Sequence, residues 1–374
     1  MSKKLNILFI CGWYPSRVLP TNGDFIQRHA EAVSLKHNVT VFHIITDKKN
    51  NQNIESSSKK INGIQTHIKY LKHTKNPVLK IYLFLKAFFS FIKQNDSFHI
   101  VHLNELYPFG IFCLYLKWVK KIPFIITEHF TGYHKPQSEN ISFFQKFISS
   151  IIVKKASFIC PVSNDLKESM QSLGFSGNYV RVPNVVNTKL FYPQEKNSSI
   201  FTITHVSNMV NKHKNIEGII NVIKKLEDKI DNFKFKLIGE NSEIYIKYAK
   251  KINLNLKNVS FINQIPHKEI PHHLNQSSVF ILFSNYENLP CVILESFSCG
   301  TPVISTNVGG IGEFFPDDFG YLISPKNEIE LVDRILKLYS NYKVDKEKMH
   351  LYVENNFSND SIANQFSELY FKSL

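Results

Sequence analysis

Two glutamates in one short segment have the chemistry to bind a sugar together. Glu287 and Glu295 lie in residues 284–315, which read SNYENLPCVILESFSCGTPVISTNVGGIGEFF. An ionised carboxylate accepts several charge-assisted hydrogen bonds and therefore suits sugar hydroxyls, whereas it repels phosphate. The pattern indicates a sugar-binding loop whose phosphate-binding cations lie elsewhere. For an arbitrary pair of glutamates, a solvated loop and an exposed helix face would be the ordinary explanation.

The elements around the two glutamates decide how they are positioned. Phe280–Phe283 is a short apolar run, which predicts a buried strand. Pro290 fits the first position of a helix, and Gly300 fits the residue just past its end. Glu287 is therefore predicted on the loop entering this helix, and Glu295 about a turn and a half inside it.

The segment continues with a predicted strand, Pro302–Ser305, and a glycine loop. Two glutamates with seven residues between them, then G-T-P-V and a G-G-x-x-E loop, resemble the donor-binding signature of retaining glycosyltransferases of family 4. The resemblance implies that Glu287 contacts the donor sugar and that Glu295 holds the nucleotide ribose. It also implies that neighbouring loop residues help to bind the donor: Asn288, Leu289, Gly309, Gly310 and Glu313.

The same resemblance points to cations for the diphosphate. The family has an arginine shortly after a strand, predicted here over Phe201–Val206, and a lysine before the next helix. Lys214 matches the lysine, Lys212 is a second candidate, and Asn208 stands where the arginine is expected. An ammonium does not replace the guanidinium fork. Either Lys212 compensates, or the diphosphate is held more weakly; an ordinary surface role for Lys212 is about as well supported.

Two glycines follow predicted strands. Leu5–Cys11 is a continuous apolar strand, and Gly23 precedes a helix predicted over Phe25–Lys36. This entry resembles the family's P-x-x-G-x-F motif, which implies that the Gly23 loop lies close to the donor phosphates. Gly239 follows the predicted strand Phe235–Ile238 and resembles the family's strand-G-x-G turn without its second glycine.

His129 ends another predicted strand, Phe124–Ile126, where open α/β sheets bind ligands. A lone histidine is more often structural. The family has a T-x-H at this position, which implies that His129 faces the donor sugar and belongs to the catalytic residues with Glu287. Strand alternation predicts that either His129 or its neighbour Glu128 points away from the site.

The charge is divided unevenly between the two halves. The chain has 374 residues, 43% of them hydrophobic, and a net charge of +14. Residues 1–185 hold 24 Lys and Arg against 10 Asp and Glu, and the remainder holds 21 of each. A basic half suits an anionic membrane or an anionic acceptor, or is a lysine-rich composition that aids solubility. Nucleic acid is disfavoured because zinc-finger spacing, RNA-binding aromatic motifs and arginine clusters are absent from the sequence.

Several features set limits on compartment and cofactors. The five cysteines form no CxxC pair and read as small buried residues in a reducing compartment, so no metal site is predicted. The apolar run near the N-terminus is too short for a signal-peptide core. Pro77–Gln94 is apolar but interrupted by lysines, so it should not span a bilayer. It is either a basic amphipathic helix that lies on the surface of a bilayer or, with somewhat better support, a helix of the protein core.

Three further segments complete the prediction. Asp47–Lys60 is polar and predicts a mobile loop, whereas Ile64–Tyr70 alternates like an edge strand. Val180–Asn187 resembles the family's P-N-G-V-D interdomain segment, with Val185 replacing the glycine. A helix over Ser361–Leu374 is expected to cross back to the first domain.

Strands alternating with helices predict an α/β protein with parallel sheets. The resemblance implies the GT-B architecture, two doubly wound Rossmann-like domains facing each other across a cleft. Residues 1–185 would bind the acceptor, 186–356 the nucleotide-sugar donor, and 357–374 would pack on the first domain.

The activity implied is retaining transfer of a sugar from a UDP-sugar or GDP-sugar to a hydroxyl acceptor, without metal or other cofactor. The acceptor would be a polysaccharide or lipid-linked glycan of the cell surface, and the enzyme cytoplasmic or peripheral on the inner membrane face. The alternatives are a nucleotide-sugar epimerase, a phosphorylase, and a non-catalytic basic protein peripheral to the membrane. The sequence leaves the sugar, base, acceptor, linkage and oligomeric state open.

Overall fold

The computed structural model describes residues 4–95, 97–341 and 343–374. Its internal contacts divide the chain into two units, one made of residues up to Val185 together with Asn359–Leu374, and the other of Val186–Ser358. Each unit has its own sheet and its own apolar core. Within the described residues, no helix is both long and apolar enough to cross a membrane.

The first unit is built on a seven-stranded sheet in the order β3-β4-β2-β1-β5-β6-β7. Neighbouring strands are parallel except β3 and β4, which are antiparallel. The strands are β1 (Asn6–Cys11), β2 (Asn38–Asp47), β3 (Ile54–Ile61), β4 (Ile64–Lys72), β5 (Ile100–Asn104), β6 (Phe124–Glu128) and β7 (Ile159–Pro161).

The apolar sequence of β1 explains its central place, since a strand covered on both faces must be apolar on both. Phe9 is fully buried and pairs in register with Val41 of β2 and His102 of β5. The strand order reverses between β1 and β5. In open α/β sheets, the carboxyl ends of the strands at such a reversal form the ligand-binding edge.

Four helices connect these strands, and a fifth follows β7. They are α1 (Asp24–Ser34), α2 (Pro77–Ile92), α3 (Gly110–Val119), α4 (Phe143–Lys155) and α5 (Asn164–Ser172). Side-chain caps fix where several begin, because they satisfy free amides of the first turn. Asn76 accepts hydrogen bonds from the amides of Val78 and Leu79, and Ser163 accepts one from Leu166.

One segment differs from its prediction. The polar stretch expected to be a mobile loop contains β3, an edge strand paired with β4 over its whole length. Arg17 holds it, donating to Asp47 Oδ2 at 2.9 Å and to Glu55 Oε1 at 2.5 Å. An edge strand needs no apolar face, and polar residues protect it against pairing with other chains. Consequently β4, expected at the edge, lies inside the sheet.

The second unit has a six-stranded parallel sheet in the order β10-β9-β8-β11-β12-β13. The strands are β8 (Phe201–Val206), β9 (Phe233–Ile238), β10 (Val259–Ile262), β11 (Val279–Leu282), β12 (Val303–Thr306) and β13 (Gly320–Ile323). The helices are α6 (Asn211–Lys214), α7 (Ile216–Leu226), α8 (Ile246–Lys251), α9 (Ile270–Asn275), α10 (Cys291–Ser298), α11 (Glu328–Asn341) and α12 (Lys346–Phe357). Both sheets are of the Rossmann-like type, which confirms the predicted fold class.

The last helix, α13 (Asn359–Ser373), belongs to the first unit. His37 Nε2 lies 2.7 Å from Ser367 Oγ, and His102 Nδ1 lies 2.7 Å from Tyr370 Oη. His102 and Tyr370 are fully buried, so α13 completes the core of the first unit.

Candidate active site

Glu287 lies on the loop between β11 and α10, as its spacing predicts. Its side chain is only 9% exposed, and two groups hold the carboxylate. Ser284 Oγ donates to Glu287 Oε1 at 2.7 Å, and the Lys214 ammonium donates to the same oxygen. Pro290 is the cap of α10 rather than its first residue, a shift of one position from the prediction.

Lys214 is the last residue of the short helix α6, and its side chain is 16% exposed. An ammonium has three donors, so the contact with Glu287 leaves others for a further anion. Lys212 of the same helix is exposed, and its carbonyl oxygen accepts a bond from Asn285 Nδ2. Asn208 is also exposed, and its Oδ1 accepts from the amide of Val210 at 3.4 Å. The structure thus brings Lys214 to Glu287 and leaves the side chains of Lys212 and Asn208 at the surface.

Gly309 lies directly against the Glu287 loop. It has a φ of +58°, and a Cβ placed on it would come within 1.9 Å of the Glu287 carbonyl oxygen. The Gly310 amide donates to the buried Asn288 carbonyl at 2.9 Å. This bond joins the Gly310 loop to the Glu287 loop.

Glu295 is buried inside α10, and His267 Nε2 lies 2.8 Å from its Oε1. The His267 side chain is 39% exposed, so the pair links a buried carboxylate to the surface. Leu289 is buried, and Glu313 is half-buried in a 3₁₀ turn after Gly310. Sequence reasoning missed His267, because it belongs to a 3₁₀ turn distant in the chain from Glu295.

Gly239 lies where β9 ends, and its backbone passes close to the loop after β8. A Cβ there would come within 1.9 Å of the Ser207 carbonyl oxygen. Only glycine allows this approach. Gly23 has the same requirement in the first unit: it caps α1 with a φ of +74°, and a Cβ would lie 2.5 Å from the Trp13 carbonyl carbon.

His129 directly follows β6 in the first unit and is buried. Its ring lies against Phe25, with centroids 4.5 Å apart, and near His29. Burial lowers the pKa of His129 well below its usual range, and His29 and His102 lower it further. The imidazole is therefore neutral at pH 7, a hydrogen-bonding group rather than a charge.

Glu128 does not point to solvent. It is fully buried, and its carboxylate accepts hydrogen bonds from the amides of Leu106, His129 and Phe130. β6 ends at Glu128, and these three bonds hold its carboxylate against the backbone. Through these hydrogen bonds, Glu128 holds the backbone of His129 in place.

Glu105, which sequence reasoning passed over, lies at the ligand-binding edge defined by the reversal of strand order. It directly follows β5, has a left-handed φ of +77°, and its Oε2 lies over Gly12 at the end of β1. Burial raises the pKa of Glu105 to about 8, and the Glu128 carboxylate adds to the increase. Its signal was available, since a charged residue after an apolar strand is the same pattern that singled out His129.

The described residues contain no group of three or more His, Cys, Asp or Glu side chains arranged to hold a metal ion. The candidate residues instead form two sets. One set lies in the second unit, around the carboxylates of Glu287 and Glu295. The other lies at the carboxyl edge of the first sheet, around His129 and Glu105.

Solved structures with nearly complete overlap have the same architecture. Sucrose-phosphate synthase from Thermosynechococcus elongatus superposes with a TM-score of 0.78 at 18% identity, covering 99% of both chains. The Anabaena protein HepE, crystallised with UDP-glucose, superposes with a TM-score of 0.73 at 16% identity, covering 99% of this chain and 100% of its own. These likenesses place the protein among the GT-B folds.

Sequence comparison then defines the family. The family described as Glycosyltransferase Family 4 matches residues 27–190, and Glycosyl transferases group 1 matches residues 188–357. The chain therefore belongs to the family 4 glycosyltransferases, which confirms the resemblance in its motifs, and it is an enzyme of the glycosyltransferase class.

Two curated relatives match over much of their length. An uncharacterized glycosyltransferase of Methanocaldococcus jannaschii is 25% identical over 261 residues, which are 68% of this chain and 69% of the relative. N-acetyl-alpha-D-glucosaminyl L-malate synthase of Bacillus anthracis is 22% identical over 305 residues, 76% of this chain and 77% of the relative.

Proposed function

We propose that this glycosyltransferase moves a sugar from a nucleotide diphosphate to a hydroxyl acceptor with retention of the anomeric configuration. The observation that carries the proposal is the Lys214–Glu287 pair, held beside the Gly309 loop. It places a cation suited to phosphate next to a carboxylate suited to sugar hydroxyls. A nucleotide-sugar needs both kinds of group within one site.

Each group has a defined part in the proposed reaction. The bond between the sugar's anomeric carbon and the diphosphate breaks, and a bond to the acceptor oxygen forms on the same face. The acceptor proton goes to the departing diphosphate oxygen. Lys214 stabilises the charge that develops on the diphosphate, Glu287 orients the sugar, and Glu295 accepts bonds from the ribose.

We include His129 in the proposal because the family resemblance implies that it faces the donor sugar. Its low pKa keeps the imidazole uncharged, so it can act as a neutral hydrogen-bond donor. The acceptor, a growing glycan or a lipid-linked glycan at the cytoplasmic membrane face, would bind in the first unit. HepE offers a parallel on the donor side, since its crystal structure contains UDP-glucose.

The first experiment is thermal unfolding with UDP, GDP, ADP and their common sugar conjugates. A ligand present at about 100 times its dissociation constant adds roughly 2.7 kcal/mol to the free energy of unfolding. We expect one diphosphate to stabilise the protein selectively, and Lys214→Ala and Glu295→Ala to lose that stabilisation. Lys229→Ala is the matched control, since Lys229 is an exposed lysine of the same unit. Failure of every diphosphate to stabilise the wild-type protein would contradict the proposal.

Product analysis then tests the reaction itself. With donor and acceptor present, NMR of the product should show the donor's anomeric configuration; the inverted configuration would refute retention. Incubation with the donor alone separates transfer from epimerisation, because an epimerase changes the donor without an acceptor.

A further inference from the structure

Three helices of the first unit form one layer on one face of its sheet. The connections that contain α2, α3 and α4 all run across the sheet in the same direction, so right-handed crossovers put these helices on the same face. Phe88 of α2 stacks on Phe112 of α3 with ring centroids 4.0 Å apart. Lys117 of α3 donates to the carbonyl of Lys155 in α4 at 2.5 Å. We call α2, α3 and α4 together the three-helix layer.

The outer side of α2 is apolar, as is its inner side. Val78, Ile81, Tyr82 and Phe89 are exposed at spacings of three, one and seven residues, which define a single stripe along the helix. Its inner residues, including Phe88, are buried in the core. A surface helix of a globular protein normally carries polar residues outward. The outward apolar stripe of α2 therefore has no explanation in the folding of the unit.

Exposed apolar residues also lie on the other two helices. Phe143 is 85% exposed, and Phe144 and Phe147 in the same two turns of α4 are more than half exposed. Trp118 and Val119 at the end of α3 are likewise more than half exposed. Phe143 begins α4, whereas Trp118 lies beside the end of α4 at Lys155, so the exposed residues are spread along the layer. Large apolar side chains exposed in this number on one unit mark a surface that another molecule covers.

The charge on the layer has one sign. The three helices together hold six lysines and no aspartate or glutamate: Lys80, Lys86, Lys117, Lys146, Lys154 and Lys155. The helix α1, on the opposite face of the sheet, carries Asp24 and Glu31 as well as Arg28. The absence of acids is therefore particular to the three-helix layer and is not shared by every helix of this basic unit.

These observations select one occupant. A second copy of the layer would bring lysines against lysines, which disfavours self-association. Nucleic acid would not use the exposed aliphatic residues of α2. An anionic bilayer accounts for both the exposed apolar residues and the lysines. Aromatic rings prefer the membrane–water interface, and lysines bind acidic headgroups while their stems stay in apolar surroundings.

We propose that the outer side of the three-helix layer binds the surface of an anionic phospholipid bilayer. The helices lie on the membrane without crossing it. Phe143, Phe144, Phe147 and the stripe of α2 enter the interface, and the lysines contact the headgroups. The proposal concerns a surface distinct from the Lys214–Glu287 site, so it stands or falls independently of the proposed sugar transfer.

The test is sedimentation of the full chain with vesicles, in the absence of any donor or acceptor. The wild-type protein should pellet with phosphatidylcholine vesicles containing about 30% phosphatidylglycerol and remain in the supernatant with phosphatidylcholine alone. The double variant Lys86→Glu, Lys154→Glu changes two exposed lysines on the same sides of α2 and α4 as the apolar residues. It should bind at least ~20-fold more weakly, since each lysine near such a surface contributes roughly fivefold. The matched control is Lys59→Glu, Lys60→Glu on β3, which makes the same charge change at exposed residues outside the layer.

The triple variant Phe143→Ser, Phe144→Ser, Phe147→Ser tests the apolar part of the membrane-binding surface. It should also lower vesicle binding by tenfold or more. The control is Ile329→Ser, since Ile329 is 78% exposed in the second unit. Both α4 and α11 should tolerate these exposed changes, which an unchanged melting temperature would verify.

Trp118 reports on the orientation at the membrane, because the chain has only two tryptophans. Its fluorescence should shift to the blue on vesicle binding and be quenched by brominated lipid, and Trp118→Phe should remove both effects. The proposal is overturned if the wild type stays in the supernatant with anionic vesicles, or if the β3 control loses as much binding as the layer variant. It is also overturned if the phenylalanine variant abolishes a dimer seen by light scattering while vesicle binding is unchanged.

Discussion

Gly309→Ala should damage the donor site far more than its size suggests. Gly309 has a left-handed φ of +58°, and a Cβ would lie 1.9 Å from the Glu287 carbonyl oxygen. Non-bonded carbon and oxygen atoms do not approach within about 3 Å, so the two loops must separate by about 1 Å. Glu287 moves with its own carbonyl. A displacement of about 1 Å in a catalytic group can cost on the order of 100-fold in rate.

The left-handed backbone conformation adds a second cost in stability, and a control variant at another glycine measures this cost alone. A non-glycine residue in the left-handed region costs roughly 1–2 kcal/mol. Gly174 has a similar φ of +84°, but no atom lies within 4 Å of a Cβ placed on it. Gly174→Ala therefore carries the conformational cost without the collision, whereas Gly309→Ala carries both.

Thermal unfolding and donor assays separate the two effects. Both variants should lower the melting temperature, by roughly 2–4 °C for each kcal/mol lost. Only Gly309→Ala should lose stabilisation by the nucleotide diphosphate and fall about 100-fold in kcat/KM. If Gly309→Ala keeps the donor affinity and turnover of Gly174→Ala, then the close approach of the two loops does not position Glu287, and the reasoning is wrong.

Three further outcomes are expected. The pKa of Glu105 is higher in the folded protein, about 8, than its unfolded value of about 4.3. Its contribution to the free energy of unfolding is therefore complete below pH 4 and lost as the pH rises through 8. Glu105→Gln should flatten that decline in urea titrations between pH 5 and 8.5, and an unchanged slope would exclude the shift. Lys214→Met and Glu287→Gln should show a coupling of roughly 1–3 kcal/mol in a double-mutant cycle of unfolding, since both side chains are mostly buried; simple additivity would mean that the pair contributes nothing. Arg17→Ala, at a side chain 44% exposed, should change the melting temperature little, because exposed ion pairs contribute little to stability, yet it should increase proteolysis of β3; unchanged cleavage would show that other contacts hold the strand.

Much of the fold was predictable because its signals are local. The apolar runs of β1 and β11 predicted buried strands, and Gly300 ended α10 as expected. The spacing of Glu287 and Glu295 identified the family that the comparisons confirmed. Each of these features depends on residues within one or two turns of each other, where chain geometry fixes what is adjacent. The roles assigned to individual site residues stay predictions.

The failures have equally specific causes. β3 looked like a loop because its residues are polar, yet an edge strand is held by hydrogen bonds to β4 and by Arg17, neither of which requires apolar side chains. The partners of Glu128 were not predicted, because its carboxylate accepts from the Leu106 amide, which is distant in the chain, as well as from those of His129 and Phe130.

The sequence by itself determined most element types and the α/β class, and it named candidate residues for a donor site, since periodicity, caps and motif spacing are local properties. Only the tertiary structure decided which groups meet. Lys214 and Glu287 are 73 residues apart in the chain, and His267 and Glu295 are 28 apart. Likewise, the raised pKa of Glu105 comes first from burial and then from Glu128. Burial and charge pairing depend on what the folded chain brings to the same place, and local sequence patterns do not specify that.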